Sequence, residues 1–112
     1  MPNLNKVTLM GYLGQDPMLR STPNGVYVCS FTMATAERWK DRDGIQQERT
    51  EWHNIELWGK TAELAAQYLR KGSPVYIEGK LKTESWEDNE GTTRKTTKVV
   101  GREMQFLEKK EE

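Results

Sequence analysis

The residues with the clearest chemical potential in this sequence are tryptophans that lie among lysines and arginines. The chain has four tryptophans in 112 residues. Trp39 stands between Arg38 and Lys40, and Trp86 follows Lys82 by four positions. Indole rings stack on the π-faces of nucleobases, while ammonium and guanidinium groups pair with phosphates. The pattern is therefore what a binder of single-stranded nucleic acid requires.

Alternation along the segment from Trp52 to Trp58 predicts which way its side chains point. Ile55 and Leu57 share one face of a predicted strand, which faces the core. Trp52 and Trp58 therefore share the other face with Glu56, and a face that carries a charge is expected to be wet. Two large indoles are thus predicted on the solvent side.

The next strand repeats this arrangement. Three apolar residues alternate toward the core: Val75, Ile77 and Leu81. Three residues of the opposite parity are expected to point outward: Lys80, Lys82 and, if the strand continues, Trp86. In the charged segment around Trp39, alternation is a less secure guide, but basic residues flank that indole too.

The charge balance indicates how such a site obtains its affinity. The formal net charge is zero, so binding cannot depend on bulk charge and specific contacts must contribute heavily. A stacked base contributes about 1–3 kcal/mol, and a few indole platforms can supply what the charge does not. The alternative is that these indoles close the ends of a barrel or line a subunit interface.

The periodicity along the chain predicts an all-β domain with one short helix. Strands are expected near 7–10, 27–33, 52–58, 75–82 and 96–107, and the charged segment 37–51 is expected to form a long hairpin loop. Thr61 is the predicted cap of a helix that buries Ala62, Ala65, Ala66 and Leu69. Three strands, a helix and two strands form the element order of the OB fold, a five-stranded Greek-key barrel. The domain is predicted to span 1–107, and the charged end 108–112 is expected to be frayed.

Other chemistries find little support in the residue pattern. Cys29 lies in an apolar strand, and His53 is the lone histidine, so both are expected to be packed or interfacial residues. Glu48, Glu51 and Glu56 lack a metal-ligand spacing. We therefore expect neither a metal, a cofactor nor an enzyme active site. The sequence shows neither an apolar span nor a leader pattern, which favours a cytoplasmic protein.

Several motifs in a fixed order resemble the bacterial single-stranded DNA-binding proteins. The motifs are Asn5-Lys6-Val7, Gly11, Leu13-Gly14-Gln15-Asp16-Pro17, Ala34-Thr35, Glu51-Trp52-His53, Trp58-Gly59-Lys60, Lys71-Gly72 and Val75-Tyr76-Ile77-Glu78-Gly79. The resemblance covers nearly the whole chain. It implies sequence-independent binding and protection of single-stranded DNA in replication, recombination and repair.

The resemblance also implies roles for individual residues. The stacking residues that it implies are Trp39, Trp52, Trp58 and Trp86. The phosphate contacts that it implies are Lys6, Lys40, Arg42, Lys60, Lys71 and Lys82, to which the outward alternation of the fourth strand adds Lys80. Family members assemble as tetramers, and we expect a subunit interface that includes Val7, Leu9, His53 and Tyr76.

Two departures from the family pattern limit what carries over. Many members are basic just before the position of Trp86, where this chain has Glu84 and Ser85, so the DNA contact there is expected to be weaker. The chain stops at Glu112 without the family's polar linker and acidic tip, so either the sequence is a shortened piece of a longer protein or recruitment of repair and replication proteins is not expected. Two alternatives stay open: an OB-fold accessory replication module that acts mainly through protein contacts, and an RNA-binding or cold-shock role.

Overall fold

The computed structural model describes residues 2–107, which form six strands and one helix. The elements are β1 (Val7–Leu13), β2 (Met18–Ser21), β3 (Tyr27–Lys40), β4 (Gln46–Trp58), α1 (Gly59–Tyr68), β5 (Pro74–Glu87) and β6 (Thr93–Phe106). The predicted charged end 108–112 lies outside the described residues.

Five of the strands close into a barrel. The hydrogen-bonded order is β1-β5-β6-β4-β3, and β3 returns to β1 through the pairs Tyr12↔Ala34 and Leu13↔Met33. The pairing of β4 with β6 is parallel, whereas the other pairings are antiparallel. The predicted five-stranded OB barrel is thereby confirmed. The short strand β2, which the sequence did not predict, pairs with β3 outside the closed barrel.

The barrel interior holds the alternating apolar residues and one face of the helix. The fully covered residues are Leu13, Cys29, Phe31, Met33, Ile55, Leu57, Ala62, Ala65, Leu69, Val75, Ile77 and Val99. The helix begins at Gly59, whose φ of 63° lets the chain turn directly out of β4. The predicted cap at Thr61 is therefore wrong, because Thr61 already lies inside the helix.

The charged segment predicted as a long hairpin loop is instead regular sheet. The ladder between β3 and β4 continues without interruption to the pair Lys40↔Gln46. We call residues 36–50 the β3–β4 arm and the corresponding part of the second long hairpin, 82–97, the β5–β6 arm. Both arms consist largely of exposed residues, so they lack the apolar alternation that reveals a strand in the sequence.

The β3–β4 arm ends in a turn that an aspartate organises. Asp41 Oδ1 accepts hydrogen bonds from the backbone N–H groups of Asp43 at 2.9 Å and Ile45 at 3.0 Å. Gly44 has a φ of 76°, which glycine adopts without the steric cost of a Cβ. The turn of the β5–β6 arm repeats this arrangement with Asp88 and with Gly91, whose φ is 79°.

Candidate nucleic-acid interface

Strand β4 presents two tryptophans on the outside of the barrel. Trp52 is 58% exposed and Trp58 is 42% exposed, while Ile55 and Leu57 between them are at most 2% exposed. The predicted alternation of this strand is therefore correct for the indoles. We call the side of the sheet that carries Trp52 and Trp58 the outer face.

Strand β5 adds a third indole to the outer face. Trp86 is 50% exposed and pairs with Arg94, and Lys82 of the same face pairs with Lys98 of β6. Directly opposed residues in an antiparallel pair lie on the same face. Arg94, Lys82 and Lys98 therefore lie on the same face of the β5–β6 hairpin as Trp86. One prediction for this strand is wrong: Leu81 is 49% exposed rather than in the core. It lies at the base of the arm, where the barrel interior has ended.

The fourth tryptophan emerges on the other side of its arm. Trp39 is 44% exposed and pairs with Gln47, whereas Ala34 pairs with Trp52. Because side chains alternate along a strand, positions 34 and 39 point to opposite faces. Trp39 and Trp52 therefore do not share one surface of the β3–β4 arm.

A glycine supports the Trp52 indole from below. A Cβ on Gly14 would lie 2.3 Å from Cζ3 of Trp52 and 2.8 Å from Oγ1 of Thr32. Real Cβ atoms do not approach other heavy atoms so closely. The Gly14 N–H donates to the Thr32 carbonyl at 2.9 Å, which fixes the backbone beneath the ring. Gly14 thus leaves the space that the indole occupies.

A polar groove of about 320 Å³ runs across the outer face beside these indoles. Its lining residues are Gln15, Arg20, Ser30, Phe31, Thr32, Asn54, Ile55, Glu56, Thr96 and Lys98. Asn54 and Glu56 lie between Trp52 and Trp58 on β4. Two residues that line the groove, Asn54 and Glu56, therefore lie between the two stacking platforms along β4. Its basic residues, Arg20 and Lys98, were not among the predicted contacts.

Glu56 lies on the outer face as predicted but does not face water. It is 4% exposed, because Trp58 and Lys98 cover its carboxylate. Trp58 Nε1 donates to Glu56 Oε1 at 2.8 Å, and Lys98 Nζ donates to Glu56 Oε2 at 2.6 Å. The Glu56 carboxylate therefore fixes the orientation of the Trp58 indole through the ring N–H. Lys98 is 42 residues away in sequence, so local alternation could not reveal it.

Lys98 also contacts a second carboxylate. Its Nζ lies 2.6 Å from Glu84 Oε1, and Lys82 Nζ lies 4.0 Å from the same oxygen. Burial lowers the pKa of Lys98, but its hydrogen bonds to Glu56 and Glu84 outweigh that effect and raise the pKa above its ordinary value. The hydrogen bond and charge of Lys98 lower the pKa of Glu84. Both groups are therefore charged at neutral pH.

The other predicted phosphate contacts are exposed on several elements: Lys6, Lys40, Arg42, Lys60, Lys71 and Lys80. Lys6 forms an ion pair with Glu78 at 3.5 Å. The backbone N–H of Lys71 donates to Asp16 Oδ1 at 2.8 Å, which ties its loop to the segment that follows Gly14. Lys40 and Arg42 belong to the tip of the β3–β4 arm, and Lys60 to the first turn of α1.

The predicted interface residues occupy mixed positions. Val7 and Leu9 are half-buried and pack against the core. His53 is half-buried, with Nε2 2.9 Å from Thr35 Oγ1, and Tyr76 donates its hydroxyl hydrogen to Glu78 Oε2 at 3.0 Å. Apolar residues of the opposite parity on β1 are more exposed: Met10 and Tyr12, each at 61%. The interface itself stays a prediction.

Two absences hold for the described part of the chain. Among residues 2–107, His, Cys, Asp and Glu side chains form no group of three or more that is arranged to hold a metal ion. The one helix in this range is too short and too polar to cross a membrane.

Fold and surface together define a class of protein: an OB-type barrel with exposed indoles and basic side chains beside a groove lined mostly by polar residues, which is the architecture of oligonucleotide-binding modules. The sequence from residue 4 to residue 107 matches the model of the single-strand binding protein family. The chain belongs to this family, and the resemblance inferred from its motifs is confirmed.

Individual relatives agree with this assignment. The chain is 53% identical over 105 residues to single-stranded DNA-binding protein 1 of Chlorobaculum tepidum, covering 93% of this chain and 65% of that protein. It is 49% identical over 105 residues to the single-stranded DNA-binding protein of Neisseria meningitidis serogroup A, covering 94% of this chain and 60% of that protein. The chain thus spans 60% to 65% of the length of these relatives.

The same architecture occurs in a solved structure, a Plasmodium falciparum SSB in complex with ssDNA. It superposes with a TM-score of 0.89 at 32% identity, covering 96% of this chain and 98% of the other.

Proposed function

We propose that this chain binds single-stranded DNA without sequence preference and protects it in replication, recombination and repair. The observation that carries the proposal is the outer face, where Trp52, Trp58 and Trp86 are each 42% exposed or more beside a polar groove with basic residues. Membership of the family and the likeness to a barrel solved with ssDNA support it.

Stacking is the proposed source of most of the affinity. Trp52, Trp58 and Trp86 serve as platforms for successive bases, and an indole face accepts any base, so binding tolerates every sequence. Trp39 emerges on the opposite side of its arm. A DNA strand that also stacks on Trp39 must therefore pass around the β3–β4 arm.

Phosphate contacts supply the second contribution. The proposed contacts are Lys6, Lys40, Arg42, Lys60, Lys71, Lys80 and Lys82. Lys6 precedes β1, Lys40 and Arg42 lie at the tip of the β3–β4 arm, Lys60 and Lys71 flank the two ends of α1, and Lys80 and Lys82 lie on β5. A bound DNA strand is therefore guided along an extended path. Because the chain is neutral overall, these contacts act locally rather than through a long-range field.

The remaining parts of the proposal concern the state of the protein. Its activity is binding, without a chemical step. Its chains assemble as tetramers, with Val7, Leu9, His53 and Tyr76 in or near the contacts between subunits. It acts in the cytoplasm, where single-stranded DNA is exposed during replication.

A competition experiment tests this function. Oligomers of dT, dA and dC of equal length should bind within about tenfold of one another, because stacking does not read base edges. A duplex of that length should bind at least about 100-fold more weakly, since its bases must be unstacked before they reach the indoles. An RNA oligomer of the same length and sequence serves as a further competitor. Equal binding of duplex and single strand, or a preference for RNA, would overturn the proposal.

A further inference from the structure

We propose that Glu84 occupies a phosphate-binding position at Lys98 in the unbound protein and that a backbone phosphate of the bound strand displaces it. Lys98 is then a phosphate contact that the protein's own carboxylate masks. This inference rests on the proposed binding of single-stranded DNA, and it adds a residue and a competing contact to that site.

The geometry around Lys98 shows one ammonium group shared by two carboxylates. Lys98 Nζ lies 2.6 Å from Glu56 Oε2 and 2.6 Å from Glu84 Oε1. The Lys98 side chain is only 17% exposed. Since the Glu56 carboxylate already compensates this ammonium group, the contact with Glu84 is a second contact to a charge that is already paired.

The two carboxylates differ in how easily they can leave. The Glu56 side chain is 6% exposed and accepts a hydrogen bond from Trp58 Nε1 at 2.8 Å. Its departure would strand a buried charge and an indole N–H, which is strongly unfavourable. The Glu84 side chain is 49% exposed on the β5–β6 arm, so rotation into water leaves it fully solvated. Glu84 is therefore the partner that can be exchanged.

The position of Glu84 matches the place that a strand phosphate would take. Lys98 and Thr96 line the groove, and Glu84 is the register partner of Thr96. Lys82 Nζ lies 4.0 Å from Glu84 Oε1, so the carboxylate stands between two ammonium groups on the outer face. A phosphate oxygen has the same acceptor chemistry and charge as this carboxylate, and it reaches Lys98 from the groove.

The exchange leaves the rest of the site intact. Glu56 keeps its contacts with Trp58 and Lys98 when Glu84 departs, so the indole stays oriented for stacking. Removing the competing carboxylate should then strengthen DNA binding, because the strand no longer has to displace it.

The first test is Glu84→Gln, which removes the charge and keeps the size. Oligo(dT) should bind the variant about three- to tenfold more tightly at low salt, as expected for loss of one competing partly exposed ion pair. Glu87→Gln is the matched control, because it makes the same change of net charge three residues further along the same arm. It should change the affinity by less than about twofold.

A double-mutant cycle separates release of Lys98 from simple charge repulsion. The background is Glu56→Gln with Lys98→Gln, which avoids leaving a buried unpaired charge and keeps an acceptor for Trp58 Nε1. Glu84→Gln should give a clearly smaller gain in this background than in the wild type, because Lys98 is absent and only the longer pair with Lys82, at 4.0 Å, remains to be released. Thermal unfolding verifies that each variant is folded.

The outcomes distinguish this inference from the proposed function. An equal gain from Glu84→Gln in both backgrounds would show that general charge repulsion or release of Lys82 accounts for the gain, and would overturn the masking of Lys98 by Glu84. The absence of any gain in the wild-type background would overturn it as well. In both cases oligo(dT) still binds the wild-type chain, whereas failure of the wild-type chain to bind oligo(dT) would refute the proposed function itself.

Discussion

The position of the Trp52 indole depends on the residue beneath it. Gly14 adopts an ordinary backbone conformation, so its role is space rather than φ. In the sequence this glycine is only one residue of the motif at positions 13–17, because the ring that covers it comes from a strand nearly forty positions later in the chain. The contact becomes visible only once β1 and β4 are placed in the barrel.

Gly14→Ala should displace the indole and weaken DNA binding. We expect a loss of about fivefold or more that does not exceed the loss from Trp52→Ala, because the new methyl group disturbs a platform worth about 1–3 kcal/mol. Fluorescence titration with oligo(dT) measures this. The control adds Gly14→Ala to Trp52→Ala, where little further loss should follow. If Gly14→Ala bound like the wild type, the contact with Gly14 would be irrelevant to binding.

Alternation predicted the exposed side of Trp52 and Trp58 from local sequence alone, because the apolar residues between them fix the parity. It did not predict that Glu56 is buried. That burial depends on Lys98, a partner on a strand that is distant in sequence and adjacent only through the parallel pairing of β4 with β6. Contacts of this kind follow from topology and not from periodicity.

At the scale of elements, the two arms extend the sheet beyond the barrel and carry Trp39 and Trp86. Apolar alternation in the sequence predicted the barrel strands, because their apolar faces pack on the core. The β3–β4 arm was wrongly predicted to be a loop. An exposed ribbon has no buried face to impose alternation. The regular structure of each arm comes from its continuous hydrogen-bonded ladder and from the turn that ends it. Asp41 organises this turn in the β3–β4 arm and Asp88 in the β5–β6 arm.

Acid should loosen the tip of the β3–β4 arm. The backbone N–H of Ile45 lowers the pKa of Asp41, and the side chain of Gln47 and the N–H of Asp43 contribute further. Because the pKa of Asp41 is lowered in the folded state, its ionised carboxylate stabilises the turn at pH values above the ordinary aspartate pKa of about 4. This stabilisation is lost as the pH falls through the lowered pKa of the folded state.

NMR can follow this transition through the Asp41 carboxyl carbon and the Ile45 amide between neutral pH and strong acid. The titration midpoint of Asp41 should lie below that of an unperturbed aspartate. In Asp41→Asn the amide of Ile45 should no longer follow this titration. A midpoint at or above the ordinary aspartate value would refute the proposed role of the carboxylate in the turn.

At the scale of the molecule, the described chain leaves apolar surface on β1. Met10 and Tyr12 are each 61% exposed, and Met10 pairs with Tyr76 of β5. A patch of exposed apolar groups is typical of a surface that is covered by a partner. Val7 and Leu9 point to the opposite, core-facing side of β1, so the outward surface around Met10 and Tyr12 is the part of β1 that supports the proposed assembly.

Light scattering should give the mass of four chains at micromolar concentration. Tyr12→Glu should shift the mass toward smaller assemblies, because it places a charge within the apolar contact. Thr8→Glu makes the same change of charge on the same outward face of β1 and tests how local the effect is. A stable monomer of the wild-type chain would contradict the proposed assembly.

The central claim is that stacking on the outer face, more than charge, holds the strand. It predicts that Trp52→Ala and Trp86→Ala each weaken oligo(dT) binding by about five- to 150-fold and leave the salt dependence nearly unchanged. Lys71→Ala is the matched comparison, since it retains the backbone N–H that donates to Asp16. It should flatten the slope of log affinity against log salt by about 0.7. One titration series over salt concentration measures all of these variants. Unchanged affinity for Trp52→Ala and Trp86→Ala at moderate salt would show that the indoles are packing residues and would contradict the stacking mechanism.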